Sequence, residues 1–140
     1  MTEIDFYTHA DDRLQVAARL CVKLHSLGRQ VRVLTADRPM TARLDTLLWT
    51  TPAIGFVPHC RLSDAIAAET PIIVDDAMEH VGVAEVLINL QFEQPPFFRR
   101  FERLAEIVND EPDVIAAGRT KWQTYKQQGY TLRVHDLRAD

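Results

Sequence analysis

Pro71-Ile72-Ile73-Val74-Asp75 and Val86-Leu87-Ile88-Asn89-Leu90 are two short runs in which nearly every residue is apolar. A strand with one wet face alternates apolar and polar residues. A strand that is apolar at successive positions is covered on both faces, as in parallel sheets flanked by helices. The two runs therefore read as central strands of a layered α/β fold. Outward from them, Ile4-Asp5-Phe6-Tyr7-Thr8 alternates and reads as the first strand, Val31 to Thr35 as the second, and Tyr130-Thr131-Leu132-Arg133-Val134 as the closing one.

Between the strands the apolar period lengthens from two to the helical value. Leu14, Ala17, Cys21 and Leu24 place a helix over Asp11 to Leu27, with Asp11 or Asp12 as N-cap and Gly28 as its stop. A second helix opens at Pro39 and Thr41, carries Leu44, Leu47 and Leu48, ends with Trp49 and is broken by Thr51-Pro52. Leu62 to Ala68 suits a helical turn. After Pro95-Pro96, the stripe Phe98, Phe101, Leu104, Ala105 and Val108 predicts a helix over Phe97 to Val108. A last helix runs from Pro112, suited to a first turn, to Gln128, with Gly129 at the position where φ becomes positive. No linker divides these elements. Residues 1–140 are expected to form one three-layer α/β/α domain with a mostly parallel sheet.

With 46% hydrophobic and 26% charged residues over 140 positions, the chain has the material for a core and no disordered bias. Its net charge of −4 argues against a broad nucleic-acid interface, which needs cations to neutralise phosphates. Little or no direct nucleic-acid binding is expected. The opening residues Met1 to Asp5 lack the basic and apolar segments of a secretory signal, and no apolar run approaches membrane-spanning length. The cytoplasm is the expected location, with no membrane partner. Two cysteines, Cys21 and Cys60, do not make a disulfide framework.

Catalytic patterns are sparse. The strand ending in Asp75-Asp76 resembles the acidic strand that holds a nucleotide's magnesium, and a small magnesium-nucleotide or hydrolytic enzyme is the alternative reading. That chemistry needs a glycine-rich phosphate loop, and Gly28, Gly55, Gly82, Gly118 and Gly129 stand singly. The acids read instead as caps at a strand end. A phosphoacceptor site fails because Thr8-His9 follows the first strand where an acidic pair is required. His59-Cys60 lacks metal-ligand spacing. No catalytic residue, metal site or cofactor is expected.

Two segments suggest binding. Trp49 to His59 gathers Trp49, Pro52, Ile54, Phe56, Val57 and Pro58 after an amphipathic helix. This is either a loop tucked onto the core or an apolar docking surface. Further along, Ile115, Arg119, Trp122 and Lys126 share one helical face, with Lys121, Tyr125, Tyr130 and Arg133 nearby. The cations there either match the helix dipole or form a pocket for an acidic peptide with an apolar end.

Ile4-Asp5-Phe6-Tyr7, Arg43-Leu44-Asp45-Thr46-Leu47-Leu48-Trp49, Phe56-Val57-Pro58-His59, Val86 to Leu90 and Arg119 to Leu132, in this order, resemble the chi subunit of bacterial DNA polymerase III holoenzyme, a clamp-loader accessory family. The resemblance spans nearly the whole chain. It implies a Rossmann-like sheet without a nucleotide-binding loop and a non-catalytic replisome adaptor with two faces. One face, matching Trp49, Pro52, Phe56, Val57 and Pro58, is expected to dock the psi subunit of the clamp loader as a heterodimer. The other is expected to hold the acidic, Phe-terminated tail of single-stranded DNA-binding protein. Its matching residues are Arg119, Trp122, Gln123, Tyr125, Lys126, Gly129, Tyr130 and Leu132. Gln123 and Ile115 stand where the family often has basic residues, and Lys121 and Lys126 are expected to compensate.

Overall fold

A computed structural model describes residues 1–50 and 57–138. Strands β1 (Glu3–Ala10), β2 (Val31–Leu34), β3 (His59–Cys60), β4 (Ile72–Asp75), β5 (Val86–Asn89), β6 (Arg103–Asn109) and β7 (Leu132–Asp136) form one sheet in the order β3-β4-β2-β5-β6-β1-β7. Every pairing is parallel. Helices α1 (Arg13–Ser26) and α2 (Arg38–Thr50) pack on one face, and α3 (Pro112–Gln127) packs on the other.

The period-two geometry of strands sorts the core into two layers. Val31, Val33, Ile72, Val74, Ile88, Ala105 and Ile107 point at α1 and α2. Ile4, Phe6, Leu34, Leu87 and Leu104 point the other way, at Tyr125 of α3 and the Phe97-Phe98-Phe101 cluster. Within the two apolar runs that read as central strands, Ile72 to Asp75 and Val86 to Leu90 are buried throughout.

The ends of α1 follow their local chemistry. Asp12, extended at φ −141°, accepts from the backbone N–H groups of Leu14 and Gln15 at 2.9 and 3.2 Å. The chain leaves the helix through Gly28 in the left-handed region.

One element differs in kind from its sequence reading. Residues 97–108 do not form a helix: Phe98–Arg100 is a short 3-10 turn, and Arg103–Asn109 is the strand joining β5 to β1. The run Leu104-Ala105-Glu106-Ile107 fits both periods, and all four residues are buried with alternate directions. A slot between two parallel strands satisfies every backbone group along it, which a lone apolar stripe does not reveal. The crossover between β5 and β6 is thus the irregular stretch 90–102, filled by phenylalanines in place of a helix.

Candidate functional site

α3 carries the larger candidate site. Its packing against β6 is close because Gly118 faces the strand: a Cβ there would lie 3.1 Å from Val108 Cγ2. Beside this contact a cavity of about 290 Å³ opens at the C-terminal ends of β1 and β6. Ile115, Arg119, Trp122 and Gln123 line it from the helix, Val108, Asn109 and Asp110 from β6 and its exit, and Thr8 and His9 from β1. Trp122 is half-buried, its ring edge-to-face with Phe6 at 5.1 Å between centroids, so one side is fixed and the other walls the cavity. Arg119 is exposed, and among the described residues no acceptor engages its guanidinium. An apolar wall beside an unpaired, forked cation fits a ligand with an apolar group and a carboxylate.

The remaining residues expected here separate into layers. Gln123 lines the cavity, while Lys126 is exposed two turns further along the same helix, about 10 Å from Arg119 along the axis. Gly129 takes φ +90° and turns the chain into β7. Tyr130 packs edge-to-face on Phe98, its hydroxyl accepting from Arg99 Nε at 3.1 Å, and Leu132 rests on the same core.

Two expectations need correction. Tyr125 is fully buried: its hydroxyl donates to Glu106 Oε2 at 2.7 Å, and burial together with that carboxylate pushes its pKa up. It supports the helix from beneath and presents nothing to a ligand. Lys121 is 6% exposed, and its Nζ donates to Glu106 Oε1 at 2.6 Å and to the Gln91 carbonyl at 2.9 Å. It is therefore no compensating surface cation.

The second candidate face lies at the end of α2, on the opposite side of the sheet. Trp49 is 60% exposed and meets the His59 ring edge-to-face at 5.2 Å. The His59 ring is held through Nδ1, 2.7 Å from the Val57 carbonyl, while Nε2 lies 3.0 Å from Asp45 Oδ1 without hydrogen-bond geometry. Pro58 is half-buried. Val57, expected on this face, is buried in the core shared by α1 and α2 and anchors the segment from below. Pro52 and Phe56 lie outside the described residues.

A family model described as DNA polymerase III chi subunit, HolC, matches residues 1–133. The chain belongs to the DNA polymerase III chi subunit family. DNA polymerase III subunit chi of Pseudomonas aeruginosa is 38% identical, over 98% of this chain and 98% of its own length. The proteins of the same name from Haemophilus influenzae and Escherichia coli are 23% and 24% identical, covering 88% and 84% of this chain and 86% and 81% of their own lengths. A chi subunit takes part in DNA replication as a component of DNA polymerase III.

Within this chi-family chain the acidic pair Asp75-Asp76 is consumed by structure. Arg61 donates to both Asp75 oxygens at 3.0 and 3.1 Å and to Asp76 at 3.1 Å, and the Leu62 and Ala77 N–H groups each reach Asp75 at 2.9 Å. Burial pulls the Asp75 carboxyl up, yet Arg61 and the two N–H groups outweigh it and hold the pKa down at about 2. Asp75 caps the turn after β4, as the sequence reading favoured, and Asp76 accepts from the side chains of Arg61 and Thr41. Burial raises both thiols, Cys21 to about 12, so neither is poised as a nucleophile. No helix among the described residues is long and apolar enough to cross a membrane.

Sequence reasoning missed the cavity residues of the two strands, Thr8 and His9 on β1 and Val108, Asn109 and Asp110 at the end of β6. They lie at the C-terminal ends of their strands and carry no motif. Only the parallel pairing of β1 with β6, and the packing of α3 on that pair, brings them into one cavity with Arg119.

Proposed function

We propose that this chi-family chain is a non-catalytic replisome adaptor of one domain in the cytoplasm, with no cofactor of its own. It links the clamp loader, through the psi subunit, to the C-terminal tail of single-stranded DNA-binding protein. The observation that carries this reading is the pairing of an unengaged Arg119 with the exposed side of Trp122 at one cavity. The tail offers the complementary chemistry: a terminal phenylalanine ring for the apolar wall and carboxylates for the guanidinium. Ile115, Gln123 and the exposed Lys126 extend this face along α3, with Gly129, Tyr130 and Leu132 shaping its exit.

The psi face is assigned to Trp49 and Pro58 with Pro52 and Phe56, Val57 acting as the buried anchor. Because α2 and α3 cover opposite faces of the sheet, both partners fit at once without competing for surface.

The direct test titrates the full chain with a synthetic acidic peptide ending in phenylalanine, followed by tryptophan fluorescence. Saturable binding that disappears in Arg119→Glu, with the thermal midpoint unchanged, supports the reading. Equal affinity in wild type and Arg119→Glu overturns the site.

A further inference from the structure

His9 is a histidine with a left-handed backbone, φ +59°, where β1 departs from regular pairing between Tyr7 and Ala10. Non-glycine residues rarely adopt this conformation, and it costs on the order of 1 kcal/mol unless the surroundings impose it. Here His9 lines the α3 cavity together with Arg119 and Trp122.

The ring's orientation is fixed by its neighbour. Nδ1 lies 2.7 Å from Asp110 Oδ1, and a carboxylate only accepts, so Nδ1 carries a proton in every state. Nε2 has no partner among the described residues. In the neutral ring Nε2 is a lone pair and repels a carboxylate; in the imidazolium it is an N–H donor and attracts one.

We propose that His9 is a proton-dependent contact of the cavity, its protonated Nε2–H joining Arg119 in holding a carboxylate of the bound acidic peptide. The inference rests on the tail-binding reading above and adds a specificity residue from β1 to it. The charged groups around the ring come from three elements. Asp110 at the exit of β6 pairs with it directly, Asp136 of β7 lies within its electrostatic reach and is itself paired with Arg138, and Arg119 lines the same cavity from α3. A peptide carboxylate held at Arg119 is an acceptor for the Nε2–H that only the imidazolium carries.

The experiment measures the affinity of the full chain for the Phe-terminated acidic peptide between about pH 5.5 and about pH 8 at constant ionic strength, a range in which histidine titrates and the peptide's carboxyls do not. Wild type is expected to bind roughly two- to five-fold more tightly at the acid end, the size of one added exposed ion pair. In His9→Asn, which tolerates the left-handed backbone and stays neutral, the ratio of acid to alkaline affinity is expected to fall to about one. A second measurement needs no variant: the His9 ring resonance is titrated with and without saturating peptide, and its midpoint is expected to rise on binding. An equal acid gain in His9→Asn, a flat wild-type profile, or a His9 midpoint indifferent to peptide each overturns the role of His9 alone. Absence of peptide binding at every pH overturns the tail reading and this contact with it.

Discussion

Lys121 Nζ and Glu106 Oε1 lie 2.6 Å apart in the sealed layer between α3 and β6, with Tyr125 and Asn89 also donating to Glu106. Three polar side chains share one buried carboxylate under the helix that carries the candidate peptide site. Removing one partner of such a pair leaves an uncompensated charge.

Lys121→Met is therefore expected to destabilise the chain by about 3 kcal/mol, because Glu106 is left buried without its cation. Chemical denaturation checks the loss. The same variant, assayed where it remains folded, should bind the acidic peptide with unchanged salt dependence, since the ammonium never faces solvent. A selective loss of peptide affinity at full stability would place Lys121 on the surface after all.

Acid should unfold the protein through its engaged aspartates. Asp75 is held at about 2, and Asp5, despite the upward pull of burial, is lowered by His135, Arg133 and Arg103. A carboxyl whose folded pKa lies below its ordinary value of about 3.9 contributes stability above that value and loses it as pH falls toward the folded one. The denaturation midpoint should fall steeply from about pH 4 to about pH 2. Asp75→Asn should flatten that slope and cost on the order of 1–2 kcal/mol at neutral pH, discounted because Arg61 is partly exposed.

Trp49 and Leu48 are neighbours on α2 with opposite fates. Leu48 is buried in the core, and Leu48→Ala should cost about 3 kcal/mol through the cavity it leaves. Trp49→Ala should change stability by less than about 1 kcal/mol while weakening co-purification with the psi subunit. Co-purification at wild-type yield would remove Trp49 from that face.

Arg119→Lys separates charge from geometry at the cavity. The ammonium keeps the charge and loses the planar fork, so peptide affinity should fall between those of wild type and Arg119→Glu. Affinity of the wild type should also drop as salt rises from about 50 to about 300 mM, as screening of an exposed cation requires. A salt-independent affinity would mean that Trp122 and Ile115 alone hold the ligand.

Much of this protein is decided by local rules. The buried runs at Ile72 to Asp75 and Val86 to Asn89 imply a parallel sheet, because no wet face interrupts them. Asp12, Gly28, Pro112 and Gly129 mark helix ends through chemistry that acts within a turn. The helical spacing of Ile115, Arg119 and Trp122 already put one wall of the cavity together. Other features depend on what lies across the fold. Whether 103–109 becomes helix or strand turns on the vacant slot between β5 and β1, since its apolar pattern satisfies both periods. Whether a lysine meets solvent or a buried carboxylate turns on the register of α3 over β6, and this is why Lys121 is structural and Arg119 is available. His9 joins the site only because β1 and β6 run side by side, although His9 and Asp110 are 101 residues apart in sequence. Periodicity and capping act over a few residues and are legible in the chain, whereas burial and partnership are properties of surfaces that exist only once the layers close.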